Sequence, residues 1–438
     1  MAAGAGRLRF VQAVRQVNDP CRGCSLITHK TLCMYLLPPV KTIGLWALLI
    51  FITGCTAQPA RPPQTTTRGT GPVGGPCEGC ELLWQGMPSQ PGGADTSMGW
   101  HQPGAQRLLV TGRVLAPDGK TPAAGVILYY WHTNHQGVYA ANAHTPKAAM
   151  AHGALRGWVK TGPDGRYAIY TLRPAPYPGE KIPAHIHFVI KEPELSQPYY
   201  PDDLVFDDDP LLLPELKKNP PPNRCGSGIV RLLQQEQLWV AERDFVLGLH
   251  IPHHPARHNS IHGLQSGLPI GHDQPSFTPY HAWGPDKGTR ACPVCKYGRY
   301  QGILYFVNQP KQVEQIKQWL LWLEAESLKR QGKLKVYLVY AHPQNNNKTR
   351  LQLEQWGRQL GLRHLALSLV PSFTDTQTEV HLNQINPQAE NTFIIYRNRR
   401  IVDKYVNLPS GPTGFATLAQ ALANTAGEYL HLPAMPHQ

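Results

Sequence analysis

The 438-residue chain reads as a multi-domain protein in which an antiparallel β-sandwich precedes an α/β domain. Three observations carry this. Charged residues are only 16% while Gly (40) and Pro (42) are abundant, a composition of loop-rich β-structure and not of helical bundles. From Leu108 to Ile190, short alternating runs are punctuated by turn residues. Beyond residue 276 the period changes, and strand-like runs alternate with helical ones. The length itself argues for two domains with linkers.

Lys41, the apolar run Ile43 to Ile52 and then Thr53-Gly54-Cys55 have the charge, short greasy core and small residues of a secretory signal. The run is too short to span a bilayer comfortably. Ile52-Thr53-Gly54-Cys55 resembles a bacterial lipobox, and the resemblance implies lipidation at Cys55 and membrane attachment by a lipid anchor. The expected location is the bacterial cell envelope, lipid-anchored or, with Cys55 a bystander, secreted. Residues 1–54 are thus a signal peptide with a start-site extension, since Met34 stands where a signal of ordinary length would begin. Cys21, Cys24 and Cys33 then carry no functional weight. Residues 55–75, rich in Pro, Thr and Gly, form a tether.

The formal charge of +13 does not mark a nucleic-acid binder. Six of the Lys/Arg lie in residues 1–54, and no block of Lys/Arg is interleaved with aromatics, so no nucleic-acid partner is expected.

Residues 76–252 should form the sandwich. Its strands are Leu108 to Leu115, Val126 to His132, Gly157 to Thr161, Tyr167 to Leu172 and His185 to Ile190, with turns at Pro117-Asp118-Gly119-Lys120 and Pro163-Asp164-Gly165. A late strand near Glu242 to Leu249 closes it. Residues 253–275 form a linker that follows His250 and carries His253, His254, His258, His262 and His272; without a fixed scaffold such a tract is more often a solvated loop than a metal site.

Residues 276–438 read as β-α-β-α-β-β-β-α. The strand Ile303 to Val307 is followed by Val313, Ile316, Trp319, Leu320 and Leu323 at helical spacing. Then come Val336 to Ala341, a helix from Thr349 to Leu360, and His364 to Val370. Phe393 to Tyr396 and Ile401 to Val406 form a hairpin before a helix near Phe415 to Leu430. This order resembles a thioredoxin-like fold.

The chemistry is concentrated in the first domain. In His185-Ile186-His187 a strand puts residues i and i+2 on one face, so both imidazoles should point together into the sandwich as paired metal ligands. Around them stand Pro183-Ala184, Phe188, Pro176-Tyr177-Pro178, Tyr129-Tyr130-Trp131-His132 and Gln136-Gly137-Val138-Tyr139. Together with Leu109 to Val114, Asp118-Gly119 and Arg156-Gly157, in that order, these resemble the intradiol dioxygenases, the catechol and protocatechuate family, over roughly residues 105–250.

The resemblance implies an Fe(III) cofactor held by Tyr139 and His185 as equatorial ligands and by Tyr177 and His187 as axial ones. It also implies a catechol-type substrate and O2, cleaved to a muconate-type diacid, with Tyr177 leaving the metal to take a catechol proton. Gln197, in Ser-Gln-Pro-Tyr-Tyr, matches a family Gln near the oxygen-binding side. Phenolate is a hard anionic donor that favours iron(III) over iron(II), which suits this ligand set. One departure weakens turnover more than iron binding: relatives carry Arg immediately before Pro-Ala-His, where this chain has Ile182.

Cys77-Glu-Gly-Cys80 and Cys292-Pro-Val-Cys295 are C-x-x-C motifs, candidates for disulfides or thiol redox. Thioredoxins place the pair just after a core strand, whereas Cys292 and Cys295 precede Ile303 to Val307, and Asn308-Gln309-Pro310 follows it. A structural disulfide or metal staple is favoured over an active dithiol. Three functions compete: an iron(III) dioxygenase; a non-catalytic catechol- or iron-binding envelope lipoprotein; and a thiol redox protein acting through Cys292 and Cys295.

Overall fold

Alternation decides which face of each strand is buried, and it builds the first half of the molecule from two stacked sheets. The computed structural model describes residues 71–255, 264–308, 313–331, 333–342 and 347–427. Met34, the signal run, Cys55, His258, His262 and Pro310 lie outside the described residues. The sandwich strands are β1 (Ala94–Thr96), β2 (Arg107–Leu115), β3 (Ile127–His132), β4 (Arg156–Lys160), β5 (Arg166–Leu172), β6 (His185–Lys191), β7 (Leu204–Phe206), β8 (Ile229–Val230), β9 (Leu233–Gln235), β10 (Leu238–Glu242) and β11 (Phe245–Val246). One sheet runs β1-β5-β2-β10-β9, with β11 also on β2; the other runs β4-β3-β6-β7-β8. Between them pack Leu108, Val110, Tyr167 and Ile169 from the first sheet and Leu128, Tyr130, Ile186, Phe188 and Ile190 from the second.

Two features depart from the expected layout. β1–β5, β2–β10, β2–β11 and β7–β8 pair in parallel, because long loops and not hairpins bring these short strands alongside. The expected strand from Glu242 to Leu249 is broken into β10 and β11 at Arg243. That side chain is fully buried, donates to the carbonyl of Asp202 and lies 4.4 Å over the Phe245 ring.

The second half contains β12 (Tyr280–Trp283), β13 (Gln301–Asn308), β14 (Leu334–Ala341), β15 (Leu365–Val370), β16 (Asn391–Arg397) and β17 (Arg400–Val406) in one sheet, ordered β12-β15-β14-β13-β16-β17. β13, β14 and β15 are parallel, and the remaining pairs antiparallel. The helices of the chain are α1 (Leu212–Lys218), α2 (Pro293–Tyr297), α3 (Val313–Lys329), α4 (Asn347–Gln359) and α5 (Pro412–Asn424). Asn398 and Arg399 take φ of 48° and 61°, the left-handed pair that closes a tight hairpin between β16 and β17. β12, α1 and α2 were not anticipated; each is seven residues or fewer, too short for a periodicity to register.

The described residues form one compact unit. Arg397 pairs with Glu242, Arg231 with Asp273 at 2.9 Å and Lys120 with Asp403 at 2.5 Å, so charged side chains lace the sandwich to the α/β sheet. Residues 264–275 lie along that sheet: Gly271 N donates to Ile401 O and Ile401 N to His272 O, both at 2.9 Å.

Candidate metal centre

The two histidines share a face as expected, but that face is not the interior. Ile186 and Phe188 take the core side of β6, which leaves His185 and His187 on the outer side of the sheet. Trp131, directly opposite His187 on β3, belongs to that outer cluster with Tyr129, Val189, Cys80 and Leu83. The correction follows from the pleat: with a period of 2, apolar residues claim the core and the imidazoles between them face away.

Two loops cover this face and bring the tyrosines to it. After β3 the chain turns at Asn134, whose side-chain oxygen accepts from Gln136 N at 2.9 Å and Val138 N at 3.1 Å. The loop before β6 is tied to it by Ala175 N to Asn134 O, 3.1 Å, and by Thr133 Oγ1 to Ala175 O, 2.7 Å. Gly137 has φ of 79°, and a Cβ there would stand 2.0 Å from the Pro176 carbonyl oxygen. Only glycine permits this approach.

The result is a closed ring of four donor atoms. Tyr139 OH lies 2.6 Å from Tyr177 OH, Tyr177 OH 3.1 Å from His185 Nε2, His185 Nε2 3.1 Å from His187 Nε2, and His187 Nε2 3.0 Å from Tyr139 OH. Each imidazole has its other nitrogen engaged: His185 Nδ1 donates to Pro183 O at 2.7 Å and His187 Nδ1 to Asp203 Oδ1 at 3.0 Å. Those partners assign the protons to Nδ1, so both Nε2 atoms face the ring as lone pairs. Two phenol protons cannot serve four edges, and the Nε2–Nε2 edge has none. Four acceptors at these separations fit a cation bonded at about 2.0–2.2 Å.

The electrostatics agree. Burial pushes the Tyr139 hydroxyl above its usual range, as does its bond to Tyr177, and burial raises Tyr177 and lowers His185. Without a cation every one of these groups prefers to be neutral; a cation would displace the phenol protons. Burial would raise the Asp203 carboxyl, but the neighbouring His187 outweighs it and holds it low. His185, His187 and Asp203 also meet as a potential metal-binding trio. Asp203, however, bonds to the nitrogen of His187 that faces away from the ring, so it orients that ligand instead of joining the set.

Trp131 clamps His187 from one face, its ring 4.8 Å away and inclined by 21°, and is itself stacked on His152 at 4.0 Å and 1°. Beside His187 opens a cavity of about 510 Å³, lined by Trp131, Pro183, Tyr200, Asp203, Leu212 and Leu216. Asp203 and His152 were missed in the sequence, and Trp131 was read only as part of the motif around the histidines. Asp203 lies sixteen residues beyond His187 and reaches it because β7 pairs with the start of β6, a non-local register.

The remaining candidates lie elsewhere. Gln197 is exposed, and the segment holding it pairs Tyr199 with Ile190, at the opposite end of β6 from His185. Ile182 is exposed at 41%. Each C-x-x-C closes on itself: Cys77–Cys80 sits over the outer face of the sandwich, and Cys292–Cys295 opens α2, immediately before β13.

Similarity to known proteins narrows the chemistry. Residues 82–223 match the family model described as Dioxygenase. The chain is 37% identical over 99 residues, 19% of its length and 31% of the relative's, to catechol 1,2-dioxygenase 1 of Acinetobacter lwoffii. It is 28% identical over 167 residues to hydroxyquinol 1,2-dioxygenase of Rhizobium sp. (strain MTP-10005), covering 32% of this chain and 54% of that one. Among solved structures, 3-chlorocatechol 1,2-dioxygenase of Rhodococcus opacus 1CP matches at 22% identity, covering 36% of this chain and 67% of that one, with a TM-score of 0.29. The chain thus spans between a third and about half the length of these curated relatives. Within residues 82–223, which contain all four donors of the ring, it is similar to intradiol ring-cleaving dioxygenases.

Proposed function

We propose that the sandwich is an iron(III)-dependent intradiol dioxygenase that inserts both atoms of O2 into a catechol-type ring to give a muconate-type diacid. The observation that carries this is the closed ring of Tyr139, Tyr177, His185 and His187, two phenols and two imidazoles with their lone pairs turned inward. When bound, ferric iron supplies the Lewis acidity that draws electron density from a chelated catecholate and opens its ring to dioxygen. The protein residues do the rest.

Tyr177 is the acid–base group. It stands on a loop outside the sheets, beside the exposed Pro178 and Gly179, and its hydroxyl would take a catechol proton. The Gly137–Pro176 contact fixes the two loops that carry Tyr139 and Tyr177 against one another. Asp203 keeps the His187 tautomer fixed, and Trp131 and His152 hold its ring plane. The cavity beside His187 is large enough for more than a single ring.

Iron loading tests the reading. Loaded protein is expected to show a visible phenolate-to-iron(III) band that disappears in Tyr139→Phe and in Tyr177→Phe, and to consume dioxygen with at least one catechol. Protein that stays colourless after iron loading overturns it. A second reading, iron and catechol capture without turnover, is favoured by Ile182, which offers no charge where relatives carry Arg; a band without oxygen uptake across catechols of varied size selects it. We read residues 276–438 as a thioredoxin-like accessory domain and Cys55 as the lipid anchor. Loss of insulin reduction in Cys292→Ser would instead assign a thiol redox activity to that domain.

A further inference from the structure

A second pair of imidazoles meets at the seam between the sandwich and the α/β sheet. His250 Nε2 and His272 Nε2 are 2.9 Å apart, although 22 residues separate them in sequence. Both backbones are fixed. His272 is pinned by the Ile401 N to His272 O bond and by Gly271 N to Ile401 O, and the adjacent Asp273 bridges to Arg400. His250 follows Leu249, whose carbonyl accepts from Cys225 N at 2.8 Å.

Gly271, with φ of 92°, packs between Val246 and Leu249, at 3.2 and 3.6 Å from a would-be Cβ, and this close approach brings the two histidines together. His250 adopts φ of 54°, a left-handed conformation that a non-glycine residue holds at a cost of about 1–2 kcal/mol. A strained residue aiming an exposed imidazole at a partner is an outlier that invites a functional reason.

The separation fits a hydrogen bond between the rings and equally a metal ion shared by them. Two metal–nitrogen bonds of about 2.0–2.1 Å meeting at a right angle place their nitrogens about 2.9 Å apart, whereas a tetrahedral angle places them at about 3.3–3.4 Å. The observed 2.9 Å therefore suits adjacent positions of a tetragonal ion. At most one of the two Nε2 atoms carries a proton, and moving that proton to Nδ1 frees both lone pairs. Among the described residues no third His, Cys, Asp or Glu forms a metal-binding group with the pair.

We propose that His250 and His272 form a second metal site that takes Cu2+, and less tightly Ni2+, through their two Nε2 atoms and so staples the end of the sandwich to the edge of the α/β sheet. The site shares no residue with the four-donor ring and does not depend on the dioxygenase reading.

The test is a Cu2+ titration of the full chain carrying Tyr139→Phe and His185→Gln, which disables the first centre. Binding is followed by calorimetry and by the nitrogen hyperfine pattern of the Cu2+ spectrum, with circular dichroism to check folding. One equivalent with two equatorial nitrogens is expected. Adding His250→Gln or His272→Gln, which retains a hydrogen-bonding side chain, should weaken binding on the order of tenfold or more, while His253→Ala should not. Affinity unchanged in both glutamine variants, or a pattern of more than two nitrogens that survives either one, would place the copper on the rest of the histidine tract and overturn the proposal.

Discussion

Gly137→Ala should disable the four-donor ring without touching any donor. A Cβ at this position would stand 2.0 Å from the Pro176 carbonyl oxygen, and real Cβ contacts are essentially never under 3.0 Å, so the two loops must part by about 1 Å. Pro176 adjoins Tyr177 and Gly137 lies two residues before Tyr139, so the opening falls on the 2.6 Å hydroxyl contact itself. Displacements of this size at a preorganised site cost roughly 100-fold. The left-handed backbone adds about 1–2 kcal/mol of strain. Gly104→Ala is the matched control, because Gly104 has φ of 73° but nothing near its would-be Cβ. Ferric titration followed at the visible band, with thermal melts of both variants, separates the effects. Both should melt earlier, but only Gly137→Ala should lose iron affinity. An unshifted band at wild-type affinity in Gly137→Ala would refute the claim that this contact sets the spacing of the tyrosines.

Three further outcomes follow from particular contacts. Asp203→Asn should weaken iron binding about 10–100-fold by releasing the His187 tautomer, measured by competition with a chelator, and equal affinity would deny Asp203 an orienting role. Arg397→Met removes the guanidinium from the half-buried Glu242 carboxylate and should cost about 3–5 kcal/mol by denaturant unfolding, most of it restored by adding Glu242→Gln; a loss under about 1 kcal/mol would mean that the pair contributes little to the seam. His132 is fully buried, donating from Nδ1 to Thr133 O and accepting at Nε2 from Thr171, and burial lowers its pKa from 6.5 to about 4. The unfolded chain then binds the extra proton more readily, so this stability is complete above about pH 6.5 and is lost as pH falls toward 4, about 3 kcal/mol in all. His132→Asn should flatten the fall in urea midpoint across that window, and an unchanged slope would assign the acid loss to other groups.

The long alternating strands and the helices around Trp319 and Trp356 were legible because their periods repeat several times. The ring was legible as a set of residue types in order, but its side of the sheet was not. Ile186 and Phe188 are part of the same motif as the histidines, and weighing their apolarity against His185 and His187 would have turned the imidazoles outward. What stayed hidden is non-local. Asp203 reaches His187 through the pairing of β6 with β7, His152 reaches Trp131 across a turn, and Arg243 interrupts a strand because its guanidinium is buried beneath Phe245. None of these contacts has a sequence spacing that announces it.

Because His185 and His187 project from the side of β6 that the core does not use, exchanging either imidazole removes no packing between the sheets. The donors can therefore be varied one at a time while Ile186 and Phe188 keep the strand in register. A lineage or an engineer could retune or abandon the chemistry on this face at little cost to folding, whereas a change at Phe188 would disturb the scaffold and the ring together.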